Sequence, residues 1–297
     1  MTSTENERKK ALGALAEALK KADESGYVVK FKRNGGWPAG QYRITKDLLN
    51  ALRAAIGSGR ALLVRGEPGS GKSTLARAAA KLCNRSFSSF VVQPNTQYED
   101  LLWNVDHIER MGEAQRMGIA GYKPPGGVDD PLSIEHFIVP GPLWLAFDPS
   151  DAMGMRRHPA DQRPSPPGRV LLIDEIDKAD ASVCNGLLES LGNFGFNVPP
   201  LNKSVYCEES NLPLVILTSN DLRPLPDAFV RRCAVVDLPL RESEELVQWL
   251  VGLGKGRFSD TISHDTLVHA AQLILSDRSN PSGPKAGTAE YLSLIHI

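Results

Sequence analysis

The chain has 297 residues, 41% hydrophobic and 23% charged, with a formal net charge of −1. That balance argues against a dedicated nucleic-acid binder, which carries a basic excess or stripe, and favours a protein or nucleotide partner. No stretch approaches the roughly 18 consecutive apolar residues of a membrane span. The polar segment Met1 to Lys10 lacks the apolar core of a secretory signal, so a cytoplasmic protein is expected.

In chain order, residues 5–22 predict an amphipathic helix. Leu12, Leu15, Ala16 and Leu19 recur at helical spacing, for packing on the domain or for a partner. Residues 27–44, with Gly35-Gly36, Trp37-Pro38 and Gly40, read as loops around short strands. A helical pattern covers 46–57. Ala61 to Arg65 is a short apolar run ending in Gly, as a buried strand requires. Helix formers fill 72–83, and Phe90 to Val92 is a second short strand. Residues 121–168 are rich in Pro and Gly and predict long loops, with a strand turn and a short helix between Ile138 and Phe147. Val170 to Ile173 predicts a buried strand and 180–191 a helix. Phe194 to Tyr206 alternates around Pro199-Pro200 and Asn202, which predicts a hairpin. Leu214 to Thr218 and Val235 to Leu238 are two further strands. From Arg241 the pattern is helical, over 242–252, 264–276 and 288 to the end. Strands alternating with helices imply an α/β fold, a parallel sheet covered by helices on both faces, followed by a small helical lid. Cys83, Cys184, Cys207 and Cys233 include no CxxC pair, so reduced, mostly buried thiols are expected rather than a zinc or disulfide framework.

One segment carries phosphate chemistry. Gly66-Glu67-Pro68-Gly69-Ser70-Gly71-Lys72-Ser73 fits G-x-x-x-x-G-K-[ST], after an apolar strand and before a helix. The glycines let backbone N–H groups turn inward toward phosphate oxygens. The helix starting near Lys72 points its positive end at the same anion. Lys72 is expected to reach the β- and γ-phosphates of ATP, Ser73 to coordinate Mg2+, and Thr74 to touch the α-phosphate.

A second segment carries hydrolysis. Val170 to Ile173 is followed by Asp174-Glu175, so a buried strand delivers two carboxylates to the edge where open α/β sheets bind ligands. Asp174 is the expected Mg2+ holder and Glu175 the general base on water. Asn220 ends the next buried strand, where a neutral amide can orient that water. Arg231-Arg232 follow Leu225 to Val230, placed to stabilise transition-state charge on a neighbour's nucleotide.

Taken together these residues resemble the AAA+ ATPases, and within them the MoxR-like group, in order from about Tyr42 to Leu240. Gly66 to Ser73 looks like Walker A, and Leu172 to Ala179 like Walker B. Thr218-Ser219-Asn220 resembles sensor 1, and Leu225 to Cys233 the arginine-finger segment, with Arg232 the preferred finger. The resemblance divides the chain into an N-terminal helix and linker (1–41), an ATPase core (42–240) and a partial lid (241–297). Lys72 and Asp174 are further apart than a minimal P-loop core needs. Residues about 99–147 look like the group's insertion in helix 2, and 194–211 like its hairpin before sensor 1. Adenine specificity, a homo-oligomeric hexameric ring, a remodelled protein client and a von Willebrand A partner are implications of the resemblance. The sensor 2 arginine has no clear match; Lys285 is the nearest candidate, contacting the nucleotide from the lid. The pattern stops mid-helix at Leu294 to Ile297, so a longer natural lid is expected.

Two alternatives stand beside this reading. A nucleic-acid-linked motor, such as a restriction-type GTPase or a helicase loader, is disfavoured by the near-neutral net charge, and a GTPase of the Ras-like kind would need Asn-Lys-x-Asp for guanine, where Asn202-Lys203-Ser204-Val205 lacks the acid. A non-hydrolysing nucleotide switch would lack the lysine or the catalytic acid, and both are present.

Overall fold

The computed structural model describes residues 3–24, 26–33, 37, 39–119, 130–155, 168–208, 212–238, 243–258, 262–278, 291 and 293–295. Helix α1 (Ser3–Lys21) lies ahead of an antiparallel hairpin, β1 (Tyr27–Phe31) and β2 (Gly40–Ile44). Helix α2 (Lys46–Ser58) starts where the Thr45 hydroxyl accepts from Leu48 N–H and ends on the left-handed Gly59, a capping arrangement at each end. Arg8 of α1 donates to the carbonyls of Ile56 and Gly57, closing the last turn of α2. Ala11, Leu15 and Ala18 of α1 are buried in the same cluster as Leu49 and Leu52 of α2, so α1 packs on the core.

Then come β3 (Leu62–Arg65), α3 (Lys72–Leu82) and β4 (Ser86–Val91). A helical and hairpin excursion follows: α4 (Tyr98–Leu102), β5 (Trp103–Val105), α5 (His107–Met117), β6 (Ile138–Pro140), α6 (Pro142–Phe147) and α7 (Pro149–Gly154). The chain returns as β7 (Arg169–Asp174), α8 (Ala181–Asn193), the hairpin β8 (Gly195–Val198) and β9 (Lys203–Tyr206), β10 (Leu214–Ser219), α9 (Asp227–Arg232) and β11 (Ala234–Asp237). Helices α10 (Ser243–Phe258) and α11 (His264–Arg278) pack on each other around Leu250, Leu267 and Ala271, with Tyr291 in the same cluster.

The central sheet has five parallel strands in the order β11-β3-β10-β7-β4. Its middle strands are apolar throughout because both faces are covered. The two-residue period divides them: Leu63, Leu171, Ile173 and Leu217 face α6 and α8, while Leu62, Val64, Leu172 and Ile216 face α2 and α3. Each fully buried aliphatic side chain contributes about 1.5–3 kcal/mol. The expected α/β architecture is therefore present. All strand carboxyl ends meet at one edge, where β3 passes into Gly66 and β7 ends in Asp174.

Some elements differ from the sequence reading. β4 begins at Ser86, four residues before the expected strand. It is the edge strand with a half-exposed alternation, so Ser-Phe-Ser-Ser-Phe carries little apolar signal. Within the expected loop region 121–168, residues 130–155 hold a 3-10 turn at Ile134–Phe137 as well as β6, α6 and α7. Residues 120–129 and 156–167 lie outside the described residues, as do Lys285 and most of the segment from 288; residues 291 and 293–295 are helical. Trp144 of α6 donates to Asp151 at 2.9 Å, and Lys203 of β9 pairs with the same carboxylate, which ties the excursion to the hairpin. The four thiols are free. Burial pushes Cys83, Cys184 and Cys233 up to about 11 and Cys207 up to about 12, so they stay protonated near neutral pH.

Helix α8 makes room for the Tyr98 ring at Gly186. A Cβ there would stand 2.5 Å from Tyr98 Cγ, inside the contact limit. Gly186→Ala gains up to about 1 kcal/mol in helix propensity, against about 1–3 kcal/mol for overpacking a ring that is also bonded through its hydroxyl to Ser190. A net loss of thermal stability is expected. A melting temperature at or above wild type by calorimetry would show that the ring can move aside freely.

Candidate nucleotide site

Gly66, Gly69 and Gly71 take φ of 150°, 79° and 93°, a left-handed backbone that side chains rarely adopt. That run wraps the chain between β3 and α3, whose first turn starts at Lys72. Gly66 N–H donates to Ser219 O, anchoring the loop on β10. Gly71 also abuts Tyr42, 3.0 Å from where a Cβ would stand, so the N-terminal hairpin backs the loop.

Lys72 is 7% exposed, and its ammonium donates to Gly66 O at 2.6 Å and Glu67 O at 2.8 Å. Burial holds its pKa below the usual lysine range, opposed by Asp174, Asp177, Asp221 and Glu175 around it. Ser70 Oγ is buried without a hydrogen-bond partner. A buried cation folded onto main-chain carbonyls and an orphaned hydroxyl within one loop fit a phosphate, whose oxygens satisfy both. Pro68 completes the loop, and Thr74 is half-buried in the first turn of α3.

Ser73 Oγ donates to Asp174, at 3.1 Å to Oδ1 and 2.9 Å to Oδ2. This oxygen pair suits Mg2+, which takes one or two protein oxygens and completes its octahedron with phosphate and water. Thr218 on β10 donates to Asp174 Oδ1 and accepts from Glu175 N–H at 2.9 Å, locking both acids to the neighbouring strand. Glu175 itself has φ 61°, left-handed for a residue with a side chain. Non-glycine residues held there cluster at functional sites. Its Oε1 accepts from Asn220 Nδ2 at 3.3 Å and its Oε2 from Lys178 Nζ at 2.6 Å. The structure thus brings Lys72, Ser73, Asp174, Glu175 and Asn220 together at one sheet edge.

Arg231 and Arg232 lie elsewhere. Both are exposed at the end of α9, and Arg232 lines a recess with Ser58, Gly59, Arg60 and Ala61. Those residues precede β3 and the phosphate loop follows it, so the arginines sit at the opposite edge, about 13 Å of strand away. They do not reach the phosphate loop of the same chain.

Three further residues have roles that sequence reasoning missed. Thr218 and Asp177 lie within the motifs but read as filler. Asp177 is 1% exposed, and its Oδ2 accepts from Asn220 N–H at 3.1 Å and Leu222 N–H at 3.0 Å, holding the loop that carries the amide. Arg278, at the end of α11, pairs with Glu67 of the phosphate loop at 3.2 Å. In sequence it reads only as a basic residue closing a helix, since lid-to-loop packing leaves no local pattern.

A glycine-rich loop opening a helix, beside a strand that ends in two acids, defines a P-loop nucleotide-binding domain. Residues 61–233, more than half of the chain, match the AAA domain family, dynein-related subfamily, and the chain belongs to that family of ATPases. No curated protein matches it by sequence. Among solved structures it is similar to a protein of Cytophaga hutchinsonii described as a candidate ATPase, at 15% identity and a TM-score of 0.46, over 99% of this chain and 65% of that one. It is also similar to a mutant RuvB of Thermotoga maritima, at 14% identity and a TM-score of 0.43, over 85% and 68%. The chain therefore spans just under two thirds of the Cytophaga protein. Among the described residues no helix is long and apolar enough to cross a membrane.

Proposed function

We propose that the chain hydrolyses ATP with Mg2+ as one subunit of a MoxR-like ring, hexameric as in that group, that remodels a protein client. The observation that carries the catalytic part is the unbroken chain of hydrogen bonds from Ser73 through Asp174 and Thr218 to Glu175 and Asn220. In this reading Lys72 turns from the loop carbonyls to the β- and γ-phosphates, and Ser70 and the loop N–H groups bind the phosphate oxygens. Ser73 and Asp174 hold Mg2+, which supplies positive charge to the phosphate oxygens as they accumulate negative charge. Glu175 accepts a proton from water as its oxygen bonds to the γ-phosphorus. The bond from that phosphorus to the bridging oxygen breaks, leaving ADP and phosphate. Asn220 orients the water without adding charge.

The position of Arg231 and Arg232 away from their own loop supports a head-to-tail ring, in which they serve the next subunit. The excursion supports a protein client: α5 presents Ile108 at 87% and Met111 at 65% exposure, an adaptable apolar surface. The von Willebrand A partner rests on the MoxR resemblance, and Lys285 remains the proposed lid contact to the nucleotide. The catalytic reading is tested by phosphate release from ATP and Mg2+. Lys72→Ala removes a buried charged donor worth about 1.5–3 kcal/mol, so nucleotide affinity should fall about 10- to 100-fold and turnover with it. Wild-type affinity and turnover in that variant would overturn the reading.

A further inference from the structure

Arg65 is the last residue of β3 and stands directly ahead of the phosphate loop. It pairs in register with Ser219 of β10, and the two-residue period puts both on the face that carries Leu63 and Leu217. Its Nε is buried and has no hydrogen-bond partner. The carboxylate it faces is that of Asp221, whose Oδ1 is 3.8 Å away, just beyond hydrogen-bond reach. Asp221 directly follows Asn220 and takes φ 55°, left-handed for a residue with a Cβ. An aspartate holds that conformation by bonding locally. Here the buried Ser219 hydroxyl accepts from Asp221 N–H at 3.0 Å and donates to Asp221 Oδ1 at 3.2 Å. Asn220 is thus set between two anchors. Asp177 grips the N–H groups of Asn220 and Leu222, and the Ser219–Asp221 turn holds the other side. A movement of about 0.8 Å would give the orphaned Nε–H its acceptor on Asp221. A buried donor left unpaired is costly, which favours that movement.

We propose that Arg65 is a positioning residue for hydrolysis: by closing on Asp221 it fixes the turn that aims the Asn220 amide at the attacking water. This rests on the reading that Asn220 orients that water. Gly66 N–H, one residue further on, donates to Ser219 O. The strand that feeds the phosphate loop and the strand that carries the amide are therefore joined twice, once through the backbone and once through this ion pair. Asp221 is also one of the acids around the Lys72 ammonium, which places the turn beside the phosphate site.

The test uses the intact chain and reads kcat, KM for ATP and affinity for a fluorescent ATP analogue. A partly exposed ion pair biases its geometry by a few fold. Arg65→Met and Asp221→Asn are each expected to lower kcat about 2- to 5-fold with KM and analogue affinity unchanged, and the double variant should lose no more than either alone. Arg65→Lys keeps the charge and should lie between Arg65→Met and wild type. Asp221→Asn changes an exposed side chain and keeps an acceptor for Ser219, so it isolates the pair even if Arg65→Met melts early. The decisive background is Asn220→Ala, where adding Arg65→Met should slow turnover no further, since no amide is left to position. Wild-type kcat in both single variants, losses that add in the double variant, or a loss that persists in full on Asn220→Ala overturns the positioning role. A parallel fall in analogue affinity puts Arg65 on the nucleotide and overturns it as well. If Asn220→Ala itself keeps wild-type kcat, the role read for Asn220 fails and the proposal falls with it. If Asn220→Ala is slow while Arg65→Met and Asp221→Asn are not, only the proposal fails.

Discussion

Glu175→Gln is expected to lower ATP turnover by at least about 100-fold while nucleotide affinity stays near wild type, because positioned general bases contribute about 10²–10⁴. The amide is isosteric, keeps an acceptor for Asn220 and loses only basicity and charge. Binding is carried elsewhere, by the loop from Gly66 to Ser73 and by Lys72, which donates within that loop and not to Glu175. The measurement is steady-state phosphate release beside equilibrium binding of ATP with Mg2+. Turnover within a few fold of wild type would mean that another group activates water, and Asp174 cannot substitute, being committed to Ser73 and Thr218. Parallel losses of affinity and turnover would instead place Glu175 in binding.

The candidate site was legible in the sequence because the chemistry proposed for it is local. Eight contiguous residues make the loop, four apolar residues and two acids make the β7 edge, and each motif is read without its neighbours. The parallel sheet was legible because its central strands are covered on both faces and become unbroken apolar runs, as in Val170 to Ile173. What stayed hidden is relational. β4 lost its first four residues to a weak edge pattern, and α5 leaves Ile108 and Met111 exposed and buries Glu113, so its apolar residues mark no packed face. Thr218 gains its role only once β10 lies beside β7, a pairing between residues more than forty positions apart. Arg278 meets Glu67 only because the lid folds back on the loop. Lys178 follows Glu175 by three residues, but the pair forms because the turn there is 3-10, which sequence does not announce.

Arginine donation between subunits makes a prediction that neither variant alone can make. Arg231→Ala with Arg232→Ala should cut turnover at least about 100-fold, since an arginine finger contributes about 10³–10⁵. Glu175→Gln is expected to be inactive for a different reason, on the other side of the same proposed interface. In a head-to-tail ring each interface takes its arginines from one subunit and its base from the next. Mixing the two inactive proteins in equal amounts, under conditions that let subunits exchange, should restore about a quarter of wild-type turnover. That is the fraction of interfaces that combine intact arginines with an intact Glu175 when subunits assemble at random. Restored activity should rise with protein concentration as rings form. The geometry underlies this expectation: the arginines lie at the start of β3 and the phosphate loop at its end, so one subunit cannot bring its own pair together. If the mixture stays as inactive as its components while exchange is verified, the arginines do not complete a neighbour's site. If the double arginine variant alone keeps wild-type turnover at every concentration, the catalytic unit is the single subunit.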